Sequence, residues 1–384
     1  MKIGQFSDSF LPIVDGVGRV AHEYAVQLAQ KGHMVTVVAP MGDFGFRGGL
    51  PYELCDYFSR ELPVMKQYSA GIPALDPHYA ARIQSIPLDI LHAHDPFITG
   101  QEALRIAKKR QLPIVGTFHS KYYDDFYKAT NAQMIAELGV KFVVNFYERC
   151  DEVWTVSENS ADALRSYGYS GEIVVLPNGT PDVSPDPARA AAAKAHFALP
   201  DRPTLLYCGQ LNWKKNLRLT IESVGKLRAK GVDCTLVLAG QGPDEGEIRA
   251  LTSKLVPDAV FTGHLHDDRL LYGLYETADL FLFPSLYDTS GMVVREAASV
   301  ATASVVALGS APAEPIQDGV NGYICEDDPD SMSAVLERAL SDPQKLREVG
   351  LNARRTIHLP WSRVLDMAVE RYEALVKAGK QPHR

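Results

Sequence analysis

The chain is poor in cysteine, and what it has shows no pattern. Its five cysteines (Cys55, Cys150, Cys208, Cys234, Cys325) are odd in number, scattered, and never spaced C-x-x-C. That spacing argues against a disulfide framework and a structural zinc site, and a reducing, cytoplasmic setting is expected. Basic residues are outnumbered: 39 Lys and Arg against 47 Asp and Glu give a net charge of −8. The electrostatic footprint of a nucleic-acid binder is therefore missing. No apolar run is long enough to span a bilayer. The opening MKIGQFSDSF has no charged region followed by an apolar one, and reads as a first strand rather than a signal peptide. The dinucleotide fingerprint G-x-G-x-x-G is also lacking, which argues against a dehydrogenase. Adjacent acids occur at Asp124 and Asp125, Asp267 and Asp268, and Asp327 and Asp328. None has a histidine or third carboxylate at ligand spacing, so neither a metal site nor a cofactor is expected.

What is present is a regular alternation. Short apolar runs at residues 2–6, 34–39, 90–93, 114–118, 152–156 and 173–176 read as strands, with helical periodicity between them, as over residues 17–31. The pattern pauses at residues 181–203, whose prolines and alanine-rich helical piece suit an interdomain linker. It resumes with strands at 204–208, 234–239, 259–262, 279–283, 304–307 and 322–325. Near-continuous apolar strands separated by helices indicate parallel sheets covered on both faces. At 384 residues, two domains are the default. The α/β reading is thus two doubly wound, Rossmann-like domains facing a cleft. Residues 41–87 look irregular, glycine-rich at Gly42, Gly45, Gly48 and Gly49, and carry Tyr52, Tyr57, Phe58, Tyr68 and Tyr79. Those aromatics suit sugar, lipid or aromatic acceptors. Residues 122–150 read as one long aromatic helix packed on the core, and residues 360–377 as an amphipathic helix docking on the protein.

Candidate chemistry gathers at strand ends. Gly16 and Gly18 sit where a loop becomes a helix, a place where backbone can approach phosphate; a plain turn is the alternative. His119 ends the strand in IVGTFHS, with Lys121 two residues on, where open α/β sheets present groups to ligands. In TLLYCGQLNWKKNL, Gly209 and Gln210 leave a strand and Lys214 and Lys215 precede a helix. A basic pair there opposes the helix dipole, and a bound diphosphate would supply the reason. Gly240 and Gly242 follow another strand, with Pro243 near the first helical position and Asp244 and Glu245 in the first turn. Asp267 and Asp268 read as an N-cap pair. The most informative stretch is FPSLYDTSGMVVREA at 283–297. Asp288 lies before a glycine-opened helix and Glu296, eight positions on, inside it. Two carboxylates suit neighbouring hydroxyls, and the helix start offers N–H groups to phosphate. The combination points to a nucleotide sugar.

In this order, these segments resemble retaining glycosyltransferases of family 4, which have the GT-B architecture, over essentially the whole chain. The pattern from Asp288 to Glu296 is the most specific part; KGHMVTVVAP (31–40), LPNGT (176–180) and QDGVNGYI (317–324) also match. The setting is similar to that in bacterial lipid or capsular hexosyltransferases. The resemblance implies an acceptor domain over residues 1–182, a donor domain over 183–360, and a C-terminal helix at 361–384 packing back on the first. It implies that Lys215 binds the donor diphosphate and Glu296 the ribose. Asp288, with the backbone of Gly291, Met292 and Val293, would hold sugar and phosphate. His119 would contact the donor sugar, Gly16 would lie near the diphosphate, and His264 and Leu265 would offer backbone to the base. Gly209 and Gln210 stand where the family has Gly-Arg, and Asp288 stands where it has Glu. The expected reaction is transfer of a hexose, glucose by family analogy, from a UDP-hexose to a lipid or glycan acceptor with retention and without a metal. Peripheral contact with the inner face of a membrane is compatible with that role. A nucleotide-sugar epimerase on the same fold and a non-catalytic degenerate transferase subunit are the alternatives.

Overall fold

The computed structural model describes residues 1–11, 16–41, 49–61 and 69–379. The chain divides into two compact units, Met1–Asn178 with Trp361–Arg384, and Gly179–Pro360. The first unit contains strands β1 (Lys2–Phe6), β2 (Met34–Pro40), β3 (Glu53–Tyr57), β4 (Ile90–Ala93), β5 (Ile114–Phe118), β6 (Glu152–Thr155) and β7 (Val174–Val175). They form a parallel sheet in the order β3-β2-β1-β4-β5-β6-β7. Its helices are α1 (Gly16–Gln30), α2 (Pro77–Ser85), α3 (Ile98–Arg110), α4 (Tyr122–Thr130), α5 (Gln133–Tyr147) and α6 (Glu158–Ser166). Strands buried on both faces explain the near-continuous apolar runs.

The second unit repeats the plan. Strands β8 (Thr204–Cys208), β9 (Thr235–Ala239), β10 (Val260–Gly263), β11 (Leu280–Leu282), β12 (Ser304–Ala307) and β13 (Tyr323–Cys325) are parallel, in the order β10-β9-β8-β11-β12-β13. The helices are α7 (Pro187–His196), α8 (Leu217–Ala229), α9 (Glu245–Leu255), α10 (Asp268–Thr277), α11 (Met292–Ser299), α12 (Pro329–Leu340) and α13 (Pro343–Thr356). In both sheets the order reverses beside the first strand, and such switch points place ligands at the carboxyl ends of the strands.

The last helix, α14 (Trp361–Ala378), belongs to the first unit. It buries Trp361, Val364, Leu365, Ala368 and Tyr372, and pairs Arg371 with Glu152 and Asp366 with Lys31.

Several local expectations are corrected. The region read as irregular contains β3 and α2. Glu53 and Asp56 break up the apolar signal of β3, whereas Leu54, Cys55 and Tyr57 are buried. Asp76 caps α2 by accepting from the His78 and Tyr79 N–H groups, with Pro77 at the first helical position. Tyr52, Tyr57 and Tyr79 are core residues, and Phe58 alone of the described aromatics named there is exposed. Gly42, Gly45, Gly48 and Tyr68 lie outside the described residues. The long aromatic helix is two helices, broken where Asn131 adopts a left-handed conformation at φ 49°. The alanine-rich helix α7 is no free linker. Asp186 caps it, Arg189 pairs with Glu276 on α10, and an added Cβ at Gly273 would meet Ala193 Cβ at 2.7 Å. Pro243 sits one residue before the α9 cap, Asp244, rather than inside the helix.

Candidate functional site

Three loops after β8, β9 and β10 are stitched together by backbone. The Gly209 N–H donates to Ala239 O at 3.0 Å and the Gly240 N–H to Gly263 O at 2.9 Å. Leu211 N–H donates to Gln241 O, and Asp244 N–H to Leu211 O. The approach is so close that a Cβ on Gly240 would lie 1.9 Å from Gly209 O, and one on Gly242 2.3 Å from Leu211 O. The glycines after β9 are thus required by packing alone. Gly209, at φ 155°, is hemmed in by the Tyr207 hydroxyl, which donates to Gln210 O at 2.8 Å.

This scaffold presents Lys214 and Lys215. Asn212 caps a short 3-10 turn, Trp213–Lys215, and Asn216 takes a left-handed conformation that lets α8 begin at Leu217. The Asn216 amide ties the turn to the next loop, donating to Asp327 Oδ1 at 2.7 Å and to Pro284 O at 3.3 Å. Lys215 Nζ reaches Asp288 Oδ1 at 2.6 Å, both side chains being about four-fifths buried. Lys214 Nζ sits 4.3 Å from the centre of the Tyr287 ring, a cation–π contact. Positive charge therefore collects beside Asp288 on two lysines. Gln210 is exposed and adds none.

Asp288 leads into α11 through Gly291, at φ 59°, where a Cβ would strike Pro312 Cγ at 2.8 Å. Only glycine opens the helix in this way. Val294 N–H already bonds Gly291 O at 2.9 Å, and the N–H groups of Met292 and Val293 have no acceptor within the helix. Asp288 Oδ2 and Ser290 Oγ are buried with no hydrogen-bond partner. Within α11, Glu296 is 2% exposed and accepts from the Tyr275 hydroxyl at 3.1 Å. Burial and the neighbouring Cys208 and Glu296 push the Tyr275 phenol well above its usual range, so it remains a donor. His264 is exposed, edge-on to His266 at 4.5 Å, and Leu265 packs partly on the core.

The remaining sequence-predicted residues lie in the first unit. Gly16 opens α1, is exposed, and among the described residues has nothing within 4 Å of an added Cβ. Lys121 is the residue before α4. His119 follows β5, is 6% exposed, and lies 3.2 Å from His94 through its Nε2. Burial pushes the His119 imidazole down to about 3.

The structure thus joins Lys215 to Asp288 directly, and gives Glu296 a different partner. Sequence reasoning missed Tyr275, Tyr287 and Asn216, whose partners lie 21 to 111 positions away or on the next loop. It also missed His92, on β4, and His94, directly after it, although their alternation in ILHAHD suggests one side of the sheet for both. Among the described residues no group of His, Cys, Asp or Glu could hold a metal ion, and no helix is long and apolar enough to cross a membrane.

Comparison with known proteins adds a family signal to each unit. Residues 14–182 match the model described as Glycosyltransferase Family 4, and residues 202–342 the model described as Glycosyl transferases group 1. A GDP-mannose-dependent alpha-mannosyltransferase of Corynebacterium glutamicum is 24% identical over 89% of this chain and 81% of its own. An alpha-monoglucosyldiacylglycerol synthase of Streptococcus pneumoniae is also 24% identical, over 89% of this chain and 79% of its own. Among solved structures, Anabaena HepE in complex with UDP-glucose superposes with a TM-score of 0.77 at 17% identity, covering 98% of this chain and 100% of HepE.

Proposed function

As a member of glycosyltransferase family 4 with the GT-B fold, the chain is a glycosyltransferase, and we propose that it moves a hexose, glucose in the first instance, from a UDP-hexose to a lipid or glycan hydroxyl with retention of configuration. The observation that carries this reading is the 2.6 Å contact of Lys215 with Asp288 ahead of the helix that bears Glu296. In the proposal Lys215, Lys214 and the N–H groups of Met292 and Val293 offset charge developing on the departing diphosphate. Glu296, steadied by Tyr275, accepts from the ribose hydroxyls. Asp288 is displaced from Lys215 by the incoming diphosphate and turns to a sugar hydroxyl. His264 and Leu265 offer backbone to the base, Gly16 leaves room for phosphate, and His119 meets the sugar. Retention follows if the acceptor attacks from the face the diphosphate leaves, the donor phosphate taking the acceptor proton. No protein nucleophile, metal or cofactor is needed in this scheme.

Two features support a lipid acceptor. The solvent side of α5 carries four exposed apolar residues, Met134, Ile135, Leu138 and Phe142, 46–71% exposed, among the exposed Gln133, Glu137 and Lys141. A cavity of about 480 Å³ lies beside it, lined by Ile72, Pro73, Phe97, Ile98 and Phe142 and, on one side, by Gln101, Glu102 and Arg105. Such a surface suits an acyl chain or the inner face of a membrane, with the enzyme cytoplasmic and peripheral. The name of one relative, an alpha-monoglucosyldiacylglycerol synthase, supports this choice. A panel of nucleotide sugars tested for stabilisation against heat, followed by mass spectrometry of products with diacylglycerol and sugar acceptors, tests the proposal. Stabilisation by a UDP-hexose and an acceptor mass gain of one hexose are expected. Conversion of donor alone to its epimer, or no turnover with any donor, would overturn it.

A further inference from the structure

We propose that Tyr287 is a positioning residue of the donor site: its ring holds the Lys214 ammonium beside Lys215, so that a diphosphate meets a second cation already in place. The inference rests on the proposed nucleotide-sugar site. Two segments make the arrangement. One is the 3-10 turn Trp213–Lys215 after β8, and the other is the loop between β11 and α11 that carries Tyr287 and Asp288. Neighbours on the turn meet neighbours on the loop. Lys214 Nζ lies 4.3 Å from the centre of the Tyr287 ring, and Lys215 Nζ lies 2.6 Å from Asp288 Oδ1. Lys215 Nζ is itself 5.9 Å from the Tyr287 ring centre. One ring therefore serves both ammonium groups.

The main chain places the start of each lysine but not its end. Asn212 Oδ1 accepts from the Lys214 N–H at 2.9 Å, and Asn212 O accepts from the Lys215 N–H at 2.9 Å. Asn216 then ties the turn to the loop, donating to Pro284 O three positions before Tyr287. Beyond its Cα, a lysine is a flexible four-carbon stem ending in a point charge. Ordering such a stem when a ligand arrives costs affinity. The Tyr287 ring orders Lys214 beforehand.

The two contacts differ in kind. Asp288 is a carboxylate and offsets the charge of Lys215. The Tyr287 ring carries no net charge and attracts an ammonium through its quadrupole, so it orients Lys214 and leaves the charge in place. Two lysines against one carboxylate leave one positive charge in excess among these four side chains, and Gln210 contributes none. An entering diphosphate has to take Lys215 from Asp288, whereas the ring can stay on Lys214 throughout. Other contacts of Lys214 or Tyr287 leave this pairing as it stands. The pairing needs the ring and not the phenol hydroxyl, so phenylalanine serves as well.

Calorimetric titration with UDP and, separately, with inorganic pyrophosphate tests the inference. The proteins are the parent, Tyr287→Phe, Tyr287→Leu, Lys214→Ala and the double variant Lys214→Ala with Tyr287→Leu. Tyr287 is only partly buried, so these changes do not open the core, and circular dichroism checks each fold. Tyr287→Leu is expected to weaken both ligands about threefold to tenfold, the cost of ordering one long side chain. Tyr287→Phe is expected to stay within about twofold of the parent, since the ring remains. Lys214→Ala is expected to lose about tenfold or more, as for a charge-assisted contact. In that background Tyr287→Leu is expected to add nothing, because the ring acts only through the lysine. Tyr287→Leu binding as the parent does, Tyr287→Phe binding as weakly as Tyr287→Leu, or an undiminished loss in the double variant would each overturn the inference. A parent that binds pyrophosphate but not UDP would sink the nucleotide reading alone, and the pyrophosphate series then decides the role of Tyr287. A parent that binds neither would overturn both.

Discussion

Removal of the Lys215 ammonium tests the donor site at its most exposed assumption. In the present state the lysine is engaged by Asp288 at 2.6 Å, and the pair is about four-fifths buried. Lys215→Ala therefore does two things. It leaves Asp288 without its cation while Asp288 Oδ2 is already buried and unpartnered. Fully exposed pairs are worth about 0–1 kcal/mol, and breaking fully buried ones costs about 3–5 kcal/mol, so a loss near 2 kcal/mol in stability is expected. It also removes a preorganised donor to the leaving diphosphate, a loss of about 10²–10³ in kcat. Asp288→Asn keeps the shape and releases the lysine, so donor binding should hold or tighten while kcat falls. The double variant Lys215→Ala with Asp288→Asn should recover about 1 kcal/mol of the stability lost by Lys215→Ala, because the orphaned carboxylate is gone. Urea unfolding and steady-state kinetics on the four proteins complete the cycle. Additive stabilities, or a Lys215→Ala enzyme turning over within twofold of the parent, would refute the reasoning.

Other outcomes follow from the same geometry. Tyr275→Phe removes the hydroxyl that Glu296 accepts from, and should weaken donor affinity about tenfold by calorimetry, in line with one lost hydrogen bond; unchanged affinity would leave Glu296 without the assigned role. Gly16→Ala meets no atom among the described residues and should stabilise α1 by about 0.5–1 kcal/mol while reducing turnover, a split that a plain turn glycine would not show. Gly240→Ala, with its Cβ 1.9 Å from Gly209 O at φ 136°, should lose more than about 2 kcal/mol by urea unfolding. Acidification should destabilise the first unit. His119 falls from 6.5 to about 3 on folding, and His92 and His94 fall well below 6.5, so the native state binds fewer protons than the unfolded chain. Their stabilisation is complete above pH 6.5 and is lost as pH drops, about 2 kcal/mol for His119 by pH 5, with His92 and His94 acting in the same direction. Asp8, raised by burial to about 6, acts in the opposite sense and returns about 1 kcal/mol over the same range. Constant or rising stability from pH 7 to 5 would contradict the buried, neutral histidines.

Most strands were legible because they are central and doubly covered. Runs such as TLLYC in β8 and TLVLA in β9 have no other reading once parallel sheets are assumed. The edge strand β3 was not legible, because Glu53 and Asp56 dilute its apolar signal. Helix breaks were equally obscure: Asn131 is a poor stop signal until its left-handed conformation is seen. At the candidate site, residue types and strand-end positions could be read, but pairings could not. Lys215 meets Asp288 across 73 positions, and nothing local to either announces it. The glycines at 240 and 242, read in the sequence with the helix start that follows them, are explained by strand-end packing alone. Gly16 is the converse, a glycine that no described residue crowds. The buried chain from Gln5 through His94 to His119 joins three strands that only the sheet order brings side by side.

The central claim is that Lys215, Asp288 and Glu296 together hold a nucleotide diphosphate sugar. Isothermal calorimetry of UDP-glucose binding to the parent protein and to Lys215→Ala and Glu296→Ala tests it most directly. The account predicts saturable one-to-one binding that each substitution weakens at least tenfold. Binding of equal strength in all three proteins would contradict it, as would failure of the parent to bind any nucleotide sugar.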